Sequence, residues 1–353
     1  MEGEPAPSKR TIVVTGAAGS VGRRVCALLA PLDDLHVLAI DLEPPPSRGC
    51  VEGHRVDLRS SRLTEVFAGA DAVVHLASSF RPVSDGVDVG HVDIDVARNV
   101  FAAAADAGVA LVVVLSSAMV YGAHPTNSIP ILEDAPLDPN PEFSFAVVKA
   151  EIEALAEAWQ RDHSDRTVVV LRPTTAIAKG EVSWVARGLR AASLLAVGDD
   201  DPPVQYLHLD DLAAAVLLAT TGSMHGAYNV APDGSVEGAT VRELSGRTPR
   251  VRMPEWLAEE LGRFRWRHGL GPTPPGLTPY TVHPWVVAND RLRRVGWEPA
   301  FTNEEAYVDG VPAKPWAALN AKRRQQLALG TAGAVTAAAG IGAAVVAKRL
   351  RRR

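Results

Sequence analysis

Short runs of apolar, β-branched residues alternate with longer helical patterns through the first half of this 353-residue chain. The runs are almost continuously hydrophobic, which indicates strands buried on both faces of a sheet. They are TIVVTG (11–16), HVLAID (36–41), AVVHLA (72–77), LVVVLSS (111–117) and TVVVLRP (167–173). Helical patterns lie between or after them at 20–30, 92–108 and 145–162. The alternation predicts a doubly wound α/β fold, a parallel sheet with helices on both faces.

The first strand-to-helix turn is rich in glycine. In VTGAAGSVGRR, Gly16, Gly19 and Gly22 stand between a strand and a helix. The first N–H groups of a helix are free and carry a partial positive charge, which suits a diphosphate, and glycines let the backbone approach it closely. Asp41 ends the second strand, where a carboxylate accepts ribose hydroxyls and repels a 2′-phosphate. The pattern therefore predicts a dinucleotide site that favours NAD over NADP.

Further motifs carry a family resemblance. The spacing of GAAGSVG is similar to that of the extended short-chain dehydrogenase/reductase family, the NAD-dependent epimerase/dehydratase group. The segments that resemble the family's other motifs are VDL (56–58), HLAS (75–78), VVVLSSAMVYG (112–122), LRPTTAIAKG (171–180) and QYLHLDDLAAAVLLA (205–219). Beyond residue 220 the likeness is faint, and irregular structure is expected for 250–285, which is rich in proline, tryptophan and arginine.

The resemblance implies a Rossmann fold, NAD as cofactor and a defined set of contacts. Asp57 is expected to meet the adenine ring, and LRP to lie near the nicotinamide. The residues expected to bind cofactor are Gly16, Ala18, Gly19, Ser20, Val21, Gly22, Asp41, Asp57, Leu58, Leu76, Ala77, Lys149, Arg172 and Pro173. For Arg172, a structural or substrate-phosphate contact is the alternative. No metal is expected, because HLDD (208–211) fits a helix cap better than a metal site.

The resemblance also assigns catalytic positions, and one of them departs from the pattern. The active-site serine falls on Ser117, and the family's tyrosine and lysine, four residues apart on a helix, fall on Phe145 and Lys149. The lysine lowers the pKa of the phenol, which exchanges a proton with the substrate. Phenylalanine has no such proton, so we expect cofactor binding with weakened acid–base catalysis. Phe145 as a plain buried helix residue, and Tyr121 as a substitute hydroxyl, are the alternatives.

Composition narrows the remaining classes. A net charge of −5 gives no reason to expect nucleic-acid binding. Only Cys26 and Cys50 occur, which fits a reducing cytosol better than a disulfide framework. The polar start MEGEPAPSKR does not resemble a signal peptide. We therefore expect a cytoplasmic protein.

The C-terminal tail differs from the rest of the chain. Residues 327–347 carry no charge, and a helix of that length would span about 30 Å, the thickness of a bilayer's hydrocarbon core. Basic residues flank it at 322–324 and 348–353. Alanine and glycine dominate, so insertion would be marginal. The tail is expected to anchor the protein to the inner face of the membrane or to form a loosely docked helix on a soluble protein.

These expectations combine into one organisation and two competing functions. The expected parts are a flexible N-terminus (1–10), an NAD-binding Rossmann domain (11–175), a smaller substrate-binding lobe (176–318) and the basic-flanked tail (319–353). The first function is that of an oxidoreductase or epimerase acting on a nucleotide sugar or related carbonyl or alcohol. The second is an inactive cofactor-binding sensor or scaffold. Family analogy also implies a homodimer through 92–108 and 145–162.

Overall fold

The strands of the chain form one large sheet and two small ones. The computed structural model describes residues 9–78, 90–193, 195–197, 201–245, 251–271 and 273–311. In chain order the strands are β1 (Arg10–Thr15), β2 (Leu35–Asp41), β3 (Val51–Arg55), β4 (Ala72–His75), β5 (Leu111–Leu115), β6 (Thr167–Pro173), β7 (Thr175–Ala178), β8 (Glu181–Val182), β9 (Leu195–Ala196), β10 (Tyr206–His208), β11 (Gly226–Val230) and β12 (Val251–Arg252).

The large sheet has seven parallel strands in the order β11-β6-β5-β4-β1-β2-β3. The five strands predicted from apolar runs are confirmed. The sequence missed β3 and β11, because β3 buries only Val51 fully and β11 contains a glycine and an asparagine. The strand order reverses between β1 and β4, so a crevice opens where their carboxyl ends diverge.

Helices α1 and α6 cover one face of this sheet, and α2, α3 and α4 cover the other. In chain order the helices of the described residues are α1 (Ser20–Leu29), α2 (Leu63–Phe67), α3 (Gly90–Asp106), α4 (Ser144–Asp162), α5 (Trp184–Ala192), α6 (Leu209–Thr221), α7 (Gly238–Leu244), α8 (Glu255–Arg267), α9 (Pro279–Val282), α10 (Asp290–Arg294) and α11 (Asn303–Gly310). The three helices predicted between and after the first strands are confirmed as α1, α3 and α4.

Two apolar cores lie on opposite faces of the sheet. Val14 belongs to the core with α1 and α6, whereas its neighbour Val13 belongs to the core with α2, α3 and α4. Successive strand residues point to opposite faces, and both faces here are covered, so both valines are fully buried. Burial of each such side chain contributes about 1.5–3 kcal/mol, which explains why the strands are nearly continuous in hydrophobic residues.

The part of the chain expected to form a substrate lobe, 176–318, also contributes to the main layers. Its strand β11 extends the large sheet beside β6, and its helix α6 packs with α1 on one face. The remaining described residues form the small sheet β10-β7-β8, the pair β12-β9 and the later helices. This part of the chain therefore supplies both an edge strand of the large sheet and the two small sheets.

Two expectations for the later part of the chain have different outcomes. Irregular structure for 250–285 is wrong over α8, whose pattern escaped detection because Ala258 is the only buried residue in it. The tail at 327–347 lies outside the described residues. Within the described ranges, no helix combines the length and hydropathy needed to cross a bilayer.

Candidate active site

The glycine turn joins β1 to α1. Gly16 has a φ of +69°, and a Cβ there would lie 2.6 Å from the Cα of Ala77. A Cβ on Gly22 would lie 2.2 Å from the carbonyl oxygen of Gly16. Gly19 is the N-cap of α1 and has no side chain with which to cap the helix. The turn is therefore tight, and backbone N–H groups at the start of α1 are the groups that would hold a diphosphate.

Asp41 stands next to this turn at the end of β2. One carboxylate oxygen accepts a hydrogen bond from the N–H of Ala18 at 3.0 Å, and the other accepts from the N–H of Leu42 at 2.7 Å. The negative charge is thereby held beside the glycine turn, where it would accept ribose hydroxyls and repel a 2′-phosphate. Both the turn and the carboxylate fit NAD.

The segment after β3 supplies the residues expected at the adenine ring. The Asp57 carboxylate accepts hydrogen bonds from the guanidinium of Arg59 at 2.7 and 3.0 Å, and also from the Arg59 backbone N–H at 3.0 Å. These hydrogen bonds lower the pKa of Asp57 to about 2. The carbonyl oxygen of Leu58 accepts from the side chain of Asn99 on α3. The contact of Asp57 with adenine stays a prediction.

A cleft of about 400 Å³ lies at the carboxyl edge of the sheet. It brings together seven of the residues expected from the sequence: Ser20, Val21, Leu76, Ser117, Phe145, Lys149 and Pro173. They come from the start of α1, the ends of β4, β5 and β6, and the first turns of α4. The cleft thus runs from the glycine turn to the residues expected to act on the substrate.

Ser117 follows β5 and begins a short 3-10 helix, Ala118–Tyr121. Its hydroxyl accepts a hydrogen bond from the N–H of Met119 at 3.2 Å. A hydroxyl that accepts from the backbone keeps its own proton to donate. Ser117 is therefore able to donate a hydrogen bond to an oxygen in the cleft.

Lys149 is held against the sheet from α4. Its Nζ donates to the carbonyl oxygen of Leu115 at 3.0 Å and lies 5.9 Å from the centre of the Phe145 ring. Burial lowers the pKa of Lys149, although the negative charges of Asp93 and Glu153 act in the opposite direction. The remaining donors of Nζ lie beside the cleft, where an ammonium group suits ribose hydroxyls.

Phe145, which the resemblance places at the family's tyrosine position, lines the cleft. Its ring meets the Trp184 ring edge-on at 5.2 Å and the Phe143 ring at 5.8 Å. The aromatic neighbours fix the ring beside Lys149, but no hydroxyl reaches the cleft from this position. Ser117, the Phe145 ring and Lys149 thus line one cleft, and the ring carries no phenolic proton.

A buried polar network lies behind the cleft. Arg172 forms an ion pair with Glu153 of α4, with Nη2 and Oε2 2.6 Å apart and side chains 6% and 2% exposed. Arg172 also donates to the hydroxyl of Tyr121 at 2.6 Å, and that hydroxyl donates to Asn229 of β11 at 2.8 Å. Ser116 donates to the Glu153 carboxylate. The structure therefore places Arg172 in this supporting network and not among the residues that line the cleft.

The same network decides the role of Tyr121. Burial raises the pKa of Tyr121 to about 12, although the neighbouring Arg172 acts in the opposite direction. Its hydroxyl is already bonded on both sides and the residue is 2% exposed. Tyr121 therefore does not provide the hydroxyl that Phe145 lacks.

Other cleft residues escaped the sequence reasoning. Thr174 and Thr175 follow LRP directly and line the cleft, so their place in that motif was a usable signal.

Glu181 of β8 also lines the cleft, but none of the motifs found in the sequence includes it. It pairs with Arg24 at 2.8 Å and with Arg23 at 3.3 Å, both on α1. Burial raises its pKa, but hydrogen bonds from Ser20 and Arg24 outweigh that effect, so the pKa is lowered.

Comparison with known proteins agrees with this fold and with NAD as the cofactor. The sequence profile of the NAD dependent epimerase/dehydratase family matches residues 12–231. This chain belongs to that family, whose cofactor is NAD. The match ends within the described part of 176–318, just after β11.

Individual relatives are similar at moderate identity. A (4-alkanoyl-5-oxo-2,5-dihydrofuran-3-yl)methyl phosphate reductase from Streptomyces griseus is 28% identical over 320 residues, with 88% of this chain and 98% of the reductase covered. A UDP-glucose 4-epimerase from Streptomyces lividans is 28% identical over 282 residues, with 71% and 84% covered. The structure of MoeE5 with UDP-glucuronic acid and NAD has a TM-score of 0.65 at 23% identity, covering 85% of this chain and 97% of MoeE5. This last likeness shows the fold.

Proposed function

We propose that this protein is an NAD-dependent epimerase or dehydratase-like oxidoreductase acting on a nucleotide sugar or a related carbonyl or alcohol substrate, with altered acid–base catalysis. The supporting observation is the single cleft in which Ser117, Phe145 and Lys149 lie with the first residues of α1. When bound, NAD supplies the hydride acceptor and donor. The protein's own residues hold the cofactor, orient the substrate oxygen and exclude water.

A second cavity, of about 120 Å³, supports the proposal that the substrate has an extended part away from its reacting atoms. It shares Thr175 and Trp285 with the cleft. Arg190 and Arg242 line it, and Arg242 is paired with Asp201, whereas no ion pair is found for Arg190 among the described residues. A guanidinium of this kind suits a diphosphate. UDP sugars, which relatives of this chain bind or convert, have that chemistry.

Within the cleft, Ser117 is the residue proposed to orient the reacting oxygen. Its hydroxyl donates one hydrogen bond, while Lys149 is proposed to hold the nicotinamide ribose. General acid–base assistance is worth about 10²–10⁴ in rate, and Phe145 does not provide it. We therefore propose slow turnover, with proton exchange through Ser117, water or the substrate itself.

The experiment uses the full chain and two readouts. NADH binding is followed by fluorescence, and conversion is then screened with NAD⁺ and UDP-glucose, UDP-galactose and UDP-glucuronic acid, with products separated by chromatography. Binding of NADH with slow product formation supports the proposal. A Lys149→Met variant is the control, and it is expected to lose both the product and most of the NADH affinity. Failure of the wild type to bind NADH would contradict the proposal.

A second function is favoured by the missing hydroxyl at Phe145 and by the occupied hydroxyl of Tyr121. It is an NAD-binding sensor or scaffold of the same fold that has lost turnover. NADH binding without any product from the UDP-sugar panel, in a protein whose Phe145→Tyr variant is equally inert, favours this function over the first.

We also propose that the protein associates with a membrane and that it forms a homodimer. Residues 327–347 would attach it to a membrane surface, and helices α3 and α4 would form a homodimer interface. Carbonate-washed membranes are compared between the full chain and a chain ending at Ala318. Recovery of both in the soluble fraction contradicts the membrane proposal, and a monomeric mass by light scattering contradicts the dimer.

A further inference from the structure

The hydroxyl of Thr174 is buried without a hydrogen-bond partner among the described residues. Thr174 is 6% exposed and follows β6 directly. Its backbone N–H donates to the carbonyl oxygen of Val230 at 3.0 Å, which fixes the residue between β6 and β11. The residue lines the cleft that contains Ser117, Phe145 and Lys149. Thr174 is therefore a residue of the cleft wall whose buried hydroxyl has no partner among the described residues.

Another buried threonine shows that this is unusual for the protein. Thr220 on α6 is fully buried, and its hydroxyl donates to the carbonyl oxygen of Val216 at 2.7 Å. Buried hydroxyls in native structures nearly always have such a partner, and an exception requires an explanation. At Thr174, a group that enters the cleft would satisfy the hydroxyl.

The position of Thr174 indicates which group this is. Thr174 lines the cleft alone, and the next residue, Thr175, lines both the cleft and the second cavity, so Thr174 is one residue from the point where the two spaces meet. A substrate whose non-reacting part fills the second cavity would place its reacting end at this junction. A hydroxyl group also both donates and accepts, so the same side chain suits the alcohol and the carbonyl form of a substrate.

We propose that Thr174 is a substrate-positioning residue whose hydroxyl forms a hydrogen bond with an oxygen at the reacting end of a nucleotide sugar. The inference rests on the proposed function. Thr174 holds the substrate oxygen from the β6 side of the cleft, whereas Ser117 approaches it from β5. Two hydroxyls, each just after one of two neighbouring strands, would thereby orient the substrate oxygen. Phe145 has no hydroxyl with which to do so.

The experiment compares Thr174→Val, Thr174→Ser and the wild type as full-length proteins. Valine keeps the shape of threonine and removes its hydroxyl, and serine keeps the hydroxyl. Calorimetry with saturating NAD⁺ measures the Kd for whichever of UDP-glucose, UDP-galactose and UDP-glucuronic acid binds the wild type most tightly. We expect Thr174→Val to weaken this binding about tenfold, or about 1.4 kcal/mol. Thr174→Ser is expected to stay within about threefold of the wild type, and the NADH affinity is expected to stay unchanged.

Thr220→Val is the matched control, because it makes the same substitution at a hydroxyl that has a partner. In thermal unfolding without ligands, Thr220→Val is expected to lower Tm, whereas Thr174→Val is expected to leave it unchanged or raise it. An unchanged Kd for the UDP sugar in Thr174→Val, or a loss of NADH affinity in its place, would overturn the inference and leave the proposed function standing. A wild type that binds NADH and no UDP sugar overturns the nucleotide-sugar proposal and this inference together.

Discussion

Restoring the family's hydroxyl with Phe145→Tyr is the most direct perturbation of the candidate active site. The ring that would carry it is fixed by Trp184, edge-on at 5.2 Å, and by Phe143 at 5.8 Å. Tyrosine keeps the ring of phenylalanine and adds one oxygen at its tip. Because Phe145 lines the cleft, we expect the added phenol to face the substrate without a change in the fold.

The nearby lysine sets the magnitude of the effect. The Nζ of Lys149 lies 5.9 Å from the centre of the Phe145 ring. With an effective dielectric constant of about 20, an ammonium group at that distance stabilises a phenolate by about 2.8 kcal/mol. This corresponds to about two pKa units, so the phenol introduced by the substitution should have a pKa near 8 in place of about 10. Such a group is suited to proton transfer near neutral pH.

Two assays check this reasoning. Turnover of the UDP sugars that bind the wild type is measured with NAD⁺, and Phe145→Tyr is expected to raise kcat by about 10²–10⁴. The difference in ultraviolet absorbance between the variant and the wild type is then followed against pH. It should report one additional phenol that titrates near pH 8, because the tyrosines common to both proteins cancel.

The double variant Phe145→Tyr/Lys149→Met is the control. Without the ammonium group the phenol should titrate near its ordinary pKa of about 10, and the gain in kcat should disappear. A wild type that already turns over as fast as Phe145→Tyr would refute the role assigned to this position. A phenol that titrates near 10 in the single variant would refute the electrostatic coupling to Lys149.

Three further predictions concern the cofactor turn, the buried ion pair and the pH dependence of stability. Gly22→Ala places a Cβ 2.2 Å from the carbonyl oxygen of Gly16, so NADH affinity measured by fluorescence should fall at least about tenfold, and unchanged affinity would contradict the tight turn. Glu153→Gln leaves the charge of Arg172 buried and unpaired, and urea denaturation should show a loss of about 3–5 kcal/mol. Burial, with a smaller effect from Lys149, lowers the pKa of His75 from 6.5 to about 4, so the folded state binds fewer protons than the unfolded state between these values. The free energy of unfolding should therefore fall by about 3 kcal/mol as pH decreases from 6.5 to 4, and a His75→Gln variant with the same pH dependence as the wild type would contradict this.

The sequence determined the architecture and the glycine turn of the candidate cofactor site, because both depend on local patterns. Continuous apolar runs identify strands that are buried on both faces, and five of the seven strands of the large sheet have this pattern. The glycines lie in the turn between β1 and α1, and Asp41 ends β2, the strand that pairs with β1. Because these elements are adjacent, the positions of these residues along the chain predict that they lie close together in the fold. The phenylalanine at 145 was visible for the same reason, since helical spacing places it on one face with Lys149.

Only the tertiary structure decided what the side chains from distant segments do. Arg172 faces Glu153 and Tyr121 behind the cleft, and no local pattern states that these three residues meet. The unpartnered hydroxyl of Thr174 is visible only when every neighbour on β5, β6 and β11 is in place. Strand β11 itself joins the sheet from a stretch in which a glycine and an asparagine interrupt the apolar residues. Such features depend on contacts between residues far apart in the chain, and hydrophobic periodicity carries no information about those pairs.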